Sequence, residues 1–194
     1  MTERKTMSHA ATQPDRDRED LVSRLKESRE AYLRAVGSVE PRASAFRPAE
    51  GCWSILECAE HVAVAERQML TMWLKLAAPG ETDRSIDHRI ASGIADRNRK
   101  DVAPERSRPA GRYTTLAEAI RDFAANRDNT IAYLESYTED LRSKTVAHPL
   151  VGVIDGFQLF LLMAGHAERH AAQIEEIQGH PAYPGRTHSQ SQEH

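Results

Sequence analysis

The amino-acid sequence predicts an all-α fold, a bundle of four main helices with a long connection between the second and the third. Four segments repeat apolar residues at the spacing of an amphipathic helix, and two of them begin with a capping-box pattern. No pair of segments shows the alternation and turn residues of a convincing β-hairpin. The 194 residues are enough for one domain with a hydrophobic core.

The first predicted helix runs from about Asp20 to Gly37, and a loop that contains Pro41 and Pro48 follows it. Its apolar stripe consists of Leu21, Val22, Leu25, Tyr32, Leu33 and Val36. Residues 1–19 contain no Val, Ile, Leu or aromatic residue, so we expect them to form a disordered N-terminal arm.

The second predicted helix has the clearest start, because Ser54 and, three residues later, Glu57 form a capping-box pattern. Trp53 precedes it and suits a hydrophobic staple. Pro79 and Gly80 end the helix. Its apolar residues alternate at spacings of three and four, which is typical of a bundle seam. They are Ile55, Cys58, Val62, Ala65, Met69, Met72 and Leu76.

Residues 81–114 connect the second and third predicted helices and hold many charges, prolines and glycines. A short helix near Ile86–Asp96 is compatible with them. Their length suits a crossover connection, an active-site flap or a plain surface loop. The third predicted helix begins near Thr115, where Glu118 completes a second capping box. Its stripe consists of Leu116, Ile120, Phe123, Ile131 and Leu134.

The fourth predicted helix runs from about Asp155 to Gln178 and is ended by Gly179 and Pro181. Its seam consists of Leu159, Met163, His166, His170, Gln173 and Ile177. Residues 179–194 end in Ser, Gln and His, so we expect a flexible C-terminal tail. The predicted domain therefore spans residues 20–178.

Composition narrows the classes of function. Lys and Arg total 26 against 29 for Asp and Glu, and this balance argues against a nucleic-acid-binding surface. No uninterrupted apolar stretch reaches the about 18 residues of a membrane span, and the N-terminus has no apolar signal core. Two cysteines, Cys52 and Cys58, form no disulfide framework, so we expect a cytoplasmic protein.

Two histidines occupy seam positions of the fourth predicted helix that packing alone would make apolar. His166 and His170 are one turn apart, so their side chains point the same way. Two imidazoles in this relation can bind one metal ion, although they can also hydrogen-bond to carbonyls or to each other. Of the other seven histidines, His61 alone lies well inside a predicted helix, at the margin of the second seam. A site of three histidines with open positions is typical of a catalytic metal centre.

Neighbouring residues exclude two known kinds of site and leave other roles open. Glu168 is one place too late for a zinc-protease motif, and the helix has no Glu-x-x-His pair for a ferritin-like di-iron site. Cys58 suits a buried core thiol better than a thiol–imidazole couple with His61. Met69 and Trp73 suit ordinary packing, with a pocket lining as the alternative.

Several motifs surround these histidines. They are Trp53-Ser54-Ile55-Leu56-Glu57 before His61, Gly165-His166-Ala167-Glu168-Arg169-His170 with Gln173-Ile174, Phe123 with Arg127 and Ile131, and His148-Pro149-Leu150-Val151-Gly152. Over about residues 20–178 this set resembles the DinB-like superfamily of metalloproteins, also called YfiT-like.

The resemblance implies a four-helix bundle in up-down-down-up order that binds a divalent metal, commonly zinc or nickel. Carried over, the metal ligands are His61, His166 and His170. Apart from the resemblance, Gln173 follows His170 by three residues and suits either a residue that holds the ligand in place or an amide at the edge of the core, and Glu57 is a second candidate for holding a ligand. Characterised members include metal-dependent transferases and isomerases that use thiols such as bacillithiol, mycothiol or glutathione, and many are dimers.

The sequence therefore leads to hypotheses of different classes. In the first, the protein is a metal-dependent thiol S-transferase or isomerase that acts on a small electrophile, with a low-molecular-weight thiol as cosubstrate and a homodimer as the assembly. The same centre could instead activate water for hydrolysis. In the second class, the bundle binds a metal or a small ligand without turnover.

Overall fold

The computed structural model of the protein describes residues 12–98 and 102–184. Five α-helices lie in these ranges: α1 (Gln13–Gly37), α2 (Ile55–Leu76), α3 (Asp87–Ala95), α4 (Leu116–Ser136) and α5 (Gly156–Gln178). Helices α1, α2, α4 and α5 correspond to the four predicted helices. The all-α class and the four-helix bundle are therefore confirmed, and α3 is the short helix compatible with the connection.

Helix α1 begins at Gln13, seven residues before the predicted start at Asp20. Its first turn is capped by Asp15, whose carboxylate accepts a hydrogen bond from the Thr12 backbone N–H. Asp17 then forms an ion pair with Arg142, at 2.8 Å. Residues 13–19 of the expected arm are thus helical, because a polar first turn is stabilised by a cap and by a partner distant in sequence. Residues 1–11 lie outside the described residues.

The long helices are arranged as two parallel pairs. The contacts that establish the directions are Arg24–Glu168 and Ser38–Gln178 between α1 and α5, and Arg67–Asp122 and Trp73–Tyr133 between α2 and α4. Contacts Lys26–Glu135 and Arg29–Asp128 show that α1 runs antiparallel to α4. The up-down-down-up order implied by the family resemblance is therefore confirmed.

A small antiparallel sheet corrects the expectation that no hairpin is present. Strand β1 (Ala78–Pro79) pairs with β2 (Lys144–His148), which pairs with β3 (Gly152–Asp155). In the β2–β3 hairpin, Thr145 faces Asp155 and His148 faces Gly152. The strands are too short to show a clear alternation, and the turn signal reduces to Gly152, whose φ is +81°. The hairpin leads directly into the start of α5.

One buried arginine joins the four long helices. Arg127 of α4 is fully buried and forms two hydrogen bonds with the Glu66 carboxylate of α2, at 2.7 and 2.9 Å. It also donates to Ser28 and the Leu25 carbonyl of α1 and to the Met163 carbonyl of α5. A buried charge is tolerated only when it is paired and its donors are satisfied, and this network meets both conditions.

The connection between α2 and α4 is folded onto the bundle. It contains α3 and a short 3-10 turn at Glu105–Ser107. Arg142 anchors the start of α3, because its guanidinium pairs with Asp87 at 2.9 Å as well as with Asp17 of α1. Residues 99–101 lie outside the described residues. The plain surface loop is therefore the least suitable of the three interpretations.

The chain after α5 remains in contact with the bundle as far as it is described. Gly179 follows the helix, and Tyr183 is buried, with its ring 5.7 Å from that of Phe46. The tail predicted at residues 179–194 thus begins with a packed segment, and residues 185–194 lie outside the described part. No helix within residues 12–98 and 102–184 has the length and hydropathy needed to cross a membrane.

The buried network predicts a large effect on stability. We expect Arg127→Met to lower the free energy of unfolding by about 3–5 kcal/mol, because it leaves the Glu66 carboxylate buried without its partner. Urea unfolding followed by circular dichroism measures the change. Lys26→Met, at an exposed ion pair between α1 and α4, is the control and should cost less than about 1 kcal/mol. Equal losses in both variants would contradict the role given to Arg127.

Candidate metal centre

The structure brings His61 of α2 together with His166 and His170 of α5. Their ring nitrogens, taking one from each residue, all lie within 4.8 Å of one another. The ring centroids are 5.0 Å apart for His61 and His166, 4.8 Å for His61 and His170, and 4.6 Å for the pair on α5. His61 and His170 are buried, and His166 is half-buried. The three residues come together because α2 and α5 cross the bundle in opposite directions with their seams facing.

His61 is held by the connection between α2 and α4. Its Nδ1 donates a hydrogen bond to the Ser107 carbonyl at 2.8 Å, and its ring lies 5.0 Å from that of Trp53. Because a carbonyl only accepts, Nδ1 carries the proton and Nε2 has a free lone pair. That Nε2 lies 3.0 Å from His166 Nε2, which must then donate the hydrogen bond between them.

Glu60, next to His61, fixes the segment that supplies Ser107. Its carboxylate is buried and accepts hydrogen bonds from the backbone N–H groups of Ala110, Gly111 and Arg112 at 2.7–3.2 Å. The Arg112 guanidinium also binds it, at 2.6 Å. Gly111 has a φ of +72°, a conformation that lets successive N–H groups converge on one anion. No motif in the sequence indicates this role of Glu60, because the backbone groups that it binds lie about 50 residues away.

The two residues expected to support the ligands behave differently. Gln173 accepts a hydrogen bond from His170 Nδ1 at 2.8 Å, so the opposite nitrogen of that ring is free to face the cluster. Glu57 instead binds the Ser54 backbone N–H at 2.8 Å and Arg47 at 2.6 Å. The expectation for Glu57 is wrong, because the capping box at the start of α2 occupies its carboxylate.

Burial keeps the three imidazoles neutral. It lowers the pKa of His61 and places the pKa of His166 and of His170 well below the usual 6.5. The neighbouring rings lower the values for the α5 pair further, since two positive charges in one cluster repel each other. The cluster thus presents neutral imidazoles, the form in which histidine binds a metal.

A cavity of about 1020 Å³ opens onto the three histidines. It lies between the bundle, helix α3, the 102–108 segment and the tip of the β2–β3 hairpin. Apolar side chains form much of its wall: Trp53, Met69, Met72, Ile90, Ile94 and Leu162. Its volume is at the upper end of the range for small-molecule sites.

Helix α3 covers the cavity by close packing against α5. A Cβ atom at Gly165, next to His166, would lie 2.2 Å from the Ile94 side chain, so only glycine permits this approach. Arg169 donates to the backbone carbonyls of Ile94 and Asp96. Arg97 pairs with Glu176 at 2.7 Å. These residues of α5, on both sides of His170, therefore hold helix α3 over the cavity.

The structure decides the roles that the sequence left open. Cys58 is buried, and burial raises the pKa of its thiol to about 12, which is the behaviour of a core thiol. Met69 lines the cavity, whereas Trp73 is buried and donates a hydrogen bond to Tyr133.

Two further histidines lie in regular structure. His88 is exposed on α3, and His148 ends β2 and lines the cavity. Burial, with a smaller contribution from Arg106, lowers the pKa of His148 to about 4.

The donor set suits a divalent cation. Three neutral imidazole nitrogens lie within reach of one centre, and zinc and nickel favour such ligands. His61 and His170 each donate the outer N–H to an oxygen, at Ser107 and Gln173, which is the usual support of metal-binding histidine.

Two solved structures have a similar fold. YfiT from Bacillus subtilis, described as a probable metal-dependent hydrolase with an unusual four-helix bundle topology, is 16% identical, with a TM-score of 0.59. The match covers 91% of this chain and 93% of YfiT. TT2238, a four-helix bundle protein, is 18% identical with a TM-score of 0.50, over 82% of this chain and 98% of its own. At these identities the likeness shows the fold.

The sequence comparisons identify the family. A search of curated proteins finds no significant match. The profile of the DinB superfamily matches residues 24–174, which include the three clustered histidines. The chain therefore belongs to the DinB superfamily.

Proposed function

We propose that His61, His166 and His170 bind one divalent cation, zinc or nickel, and that the protein is a metal-dependent enzyme acting on a small molecule. The observation that carries this proposal is the meeting of three ring nitrogens within 4.8 Å, at the wall of a large cavity. The outer hydrogen bonds to Ser107 and Gln173 support it, because they direct the remaining nitrogens toward one point.

The reaction that we propose is thiol S-transfer or isomerisation of a small electrophile, with a low-molecular-weight thiol as cosubstrate. A bound divalent cation lowers the pKa of a coordinated thiol or water and so provides a nucleophile at neutral pH. The cavity of about 1020 Å³ has room for a thiol beside a second substrate. Its apolar wall restricts water around them, and Gln173 holds the His170 ring in one orientation. A homodimer and a cytoplasmic location are part of this proposal.

Hydrolysis is the second candidate reaction, favoured by the description of YfiT as a probable metal-dependent hydrolase. It needs the same three histidines, with water in place of the thiol. A bundle that binds a metal or ligand without turnover is the remaining alternative.

Metal content tests the ligand set. We expect His61→Ala, His166→Ala and His170→Ala each to weaken zinc binding more than about 100-fold. Loss of a residue that only hydrogen-bonds to a metal ligand weakens binding about 10- to 100-fold, and loss of the ligand itself should cost more. His88→Ala, on the exposed face of α3, is the matched control and should bind like the wild type. Metal analysis after equilibrium dialysis measures occupancy. Equal metal content in all four variants would contradict the site.

Protonation should release the metal. Burial lowers the pKa of all three imidazoles, so they stay neutral at pH 7 and compete for protons only below the ordinary value of 6.5. We expect occupancy to be full near neutrality and to fall only well below pH 6.5, because the lowered pKa values move protonation of the imidazoles to lower pH. Dialysis against buffered zinc over a pH series measures it. Loss of the metal already between about pH 8 and about pH 7, where all three imidazoles are neutral, would contradict an all-histidine site.

An activity screen separates the candidate reactions. We expect the metal-loaded protein to conjugate a chloronitrobenzene electrophile to at least one of several thiols about tenfold faster than the metal-stripped protein or His170→Ala. Chromatography of the conjugate measures the rate. Metal-dependent cleavage of nitrophenyl esters without thiol transfer would favour the hydrolase. Metal binding with neither activity would favour the non-catalytic bundle.

A further inference from the structure

The cavity carries a positive charge that the chain as a whole does not. The sequence has a net charge of −3, yet the described residues that line the cavity include five arginines and a single acidic residue, Glu176. The arginines are Arg89, Arg97, Arg106, Arg108 and Arg169. Because the clustered histidines are neutral, they do not change this balance.

Three of these arginines are engaged within the protein. Arg97 pairs with Glu176, Arg169 donates to backbone carbonyls at the end of α3, and Arg108 donates to the Ala103 carbonyl at 3.0 Å. Arg106 and Arg89 differ, since neither side chain forms a hydrogen bond or ion pair with any residue in 12–98 or 102–184. Two guanidinium groups at the cavity are therefore available to a ligand.

The Arg106 backbone is held firmly while its side chain is free. Its carbonyl accepts a hydrogen bond from the Gln68 side chain at 3.0 Å, and the next residue, Ser107, binds His61. The Glu60 carboxylate anchors the same segment a few residues later. The guanidinium thus projects from a fixed base whose neighbour contacts the histidine cluster directly. Binding of a ligand then has to order only the side chain, because the backbone that carries it is already fixed.

We propose that Arg106, assisted by Arg89 of α3, binds an anionic group, a carboxylate or a phosphate, on the small molecule that the cavity accepts. This inference deepens the proposed function, on which it rests, by naming the charge of its substrate. The planar guanidinium matches the two oxygens of either group. The apolar wall around Met69 and Leu162 then takes the uncharged part of the same molecule.

Three probes that differ in charge test the inference. They are hydrocinnamate, phenyl phosphate and the neutral hydrocinnamamide, titrated into the full-length protein with and without zinc. Trp53 lines the cavity, so tryptophan fluorescence reports binding. We expect at least one of the anions to bind about tenfold or more tightly than the amide. The tighter of the two anions then distinguishes a carboxylate from a phosphate ligand.

Variants assign the effect to Arg106. We expect Arg106→Gln to weaken binding of that anion about tenfold or more and to leave amide binding unchanged. Arg106→Lys should restore part of the lost binding, because it keeps the positive charge but lacks the paired N–H donors of the planar guanidinium. Arg34→Gln, an exposed arginine on α1, is the control. The inference is overturned if none of the probes binds at millimolar concentration, if the amide binds as tightly as both anions, or if the Arg106 and Arg34 variants behave alike.

The titrations with and without zinc distinguish this inference from the proposed function. If the protein binds no zinc but still prefers an anion, and this preference depends on Arg106, the inference is supported and only the metal proposal is contradicted. Zinc bound at the histidines without any anion preference contradicts only the inference.

Discussion

Burying three imidazoles side by side imposes the constraint on which the rest of this structure depends. Each ring must stay neutral, and each N–H must find an acceptor, because an unpaired polar group in the interior costs about 1–3 kcal/mol. The Ser107 carbonyl and the Gln173 amide supply acceptors for His61 and His170. Two of the three rings are thereby fixed in tautomer as well as in orientation. The free nitrogens are left facing one another beside the cavity.

This constraint explains why the connection between α2 and α4 is part of the site. Ser107 can serve His61 only if its segment is held, and the buried Glu60 carboxylate holds it through three backbone N–H groups and Arg112. Helix α2 therefore carries both His61 and Glu60, and Glu60 anchors the segment whose Ser107 supports His61. Helix α3 closes the other side by its approach to Gly165.

The charged residues of this protein form two groups, a buried pair inside the bundle and a set of arginines at the cavity. Arg127 and Glu66 are fully buried, satisfy each other and connect all four long helices. The arginines at the cavity line its wall, and two exposed ones, Arg89 and Arg106, have no partner in the described part of the chain. A paired charge inside the bundle supports the fold, and we propose the recognition of an anion for the unpaired charges at the cavity.

Local patterns predicted much of the fold and part of the candidate site. The apolar seams and capping boxes indicated four helices, and the spacing of His166 and His170 placed both rings on one face. The role of Gln173 beside His170 followed from the same helical spacing. Glu57 was assigned wrongly because its position suits both the capping box and a contact with His61. The spacing alone does not show which of the two its carboxylate forms.

By itself, the sequence determined the features that repeat along one helix, because apolar periodicity and capping are interactions between residues three or four places apart. The tertiary structure alone decided the Asp17–Arg142 pair that supports the first turn of α1, the Glu60 anchor, the Ser107 carbonyl as partner of His61, and the cavity lined by Arg106. Each of these depends on groups far apart in the chain, or on a backbone carbonyl whose position no side-chain pattern encodes. Their meeting is set by how the helices pack, since that packing determines which polar groups are buried together and must satisfy one another.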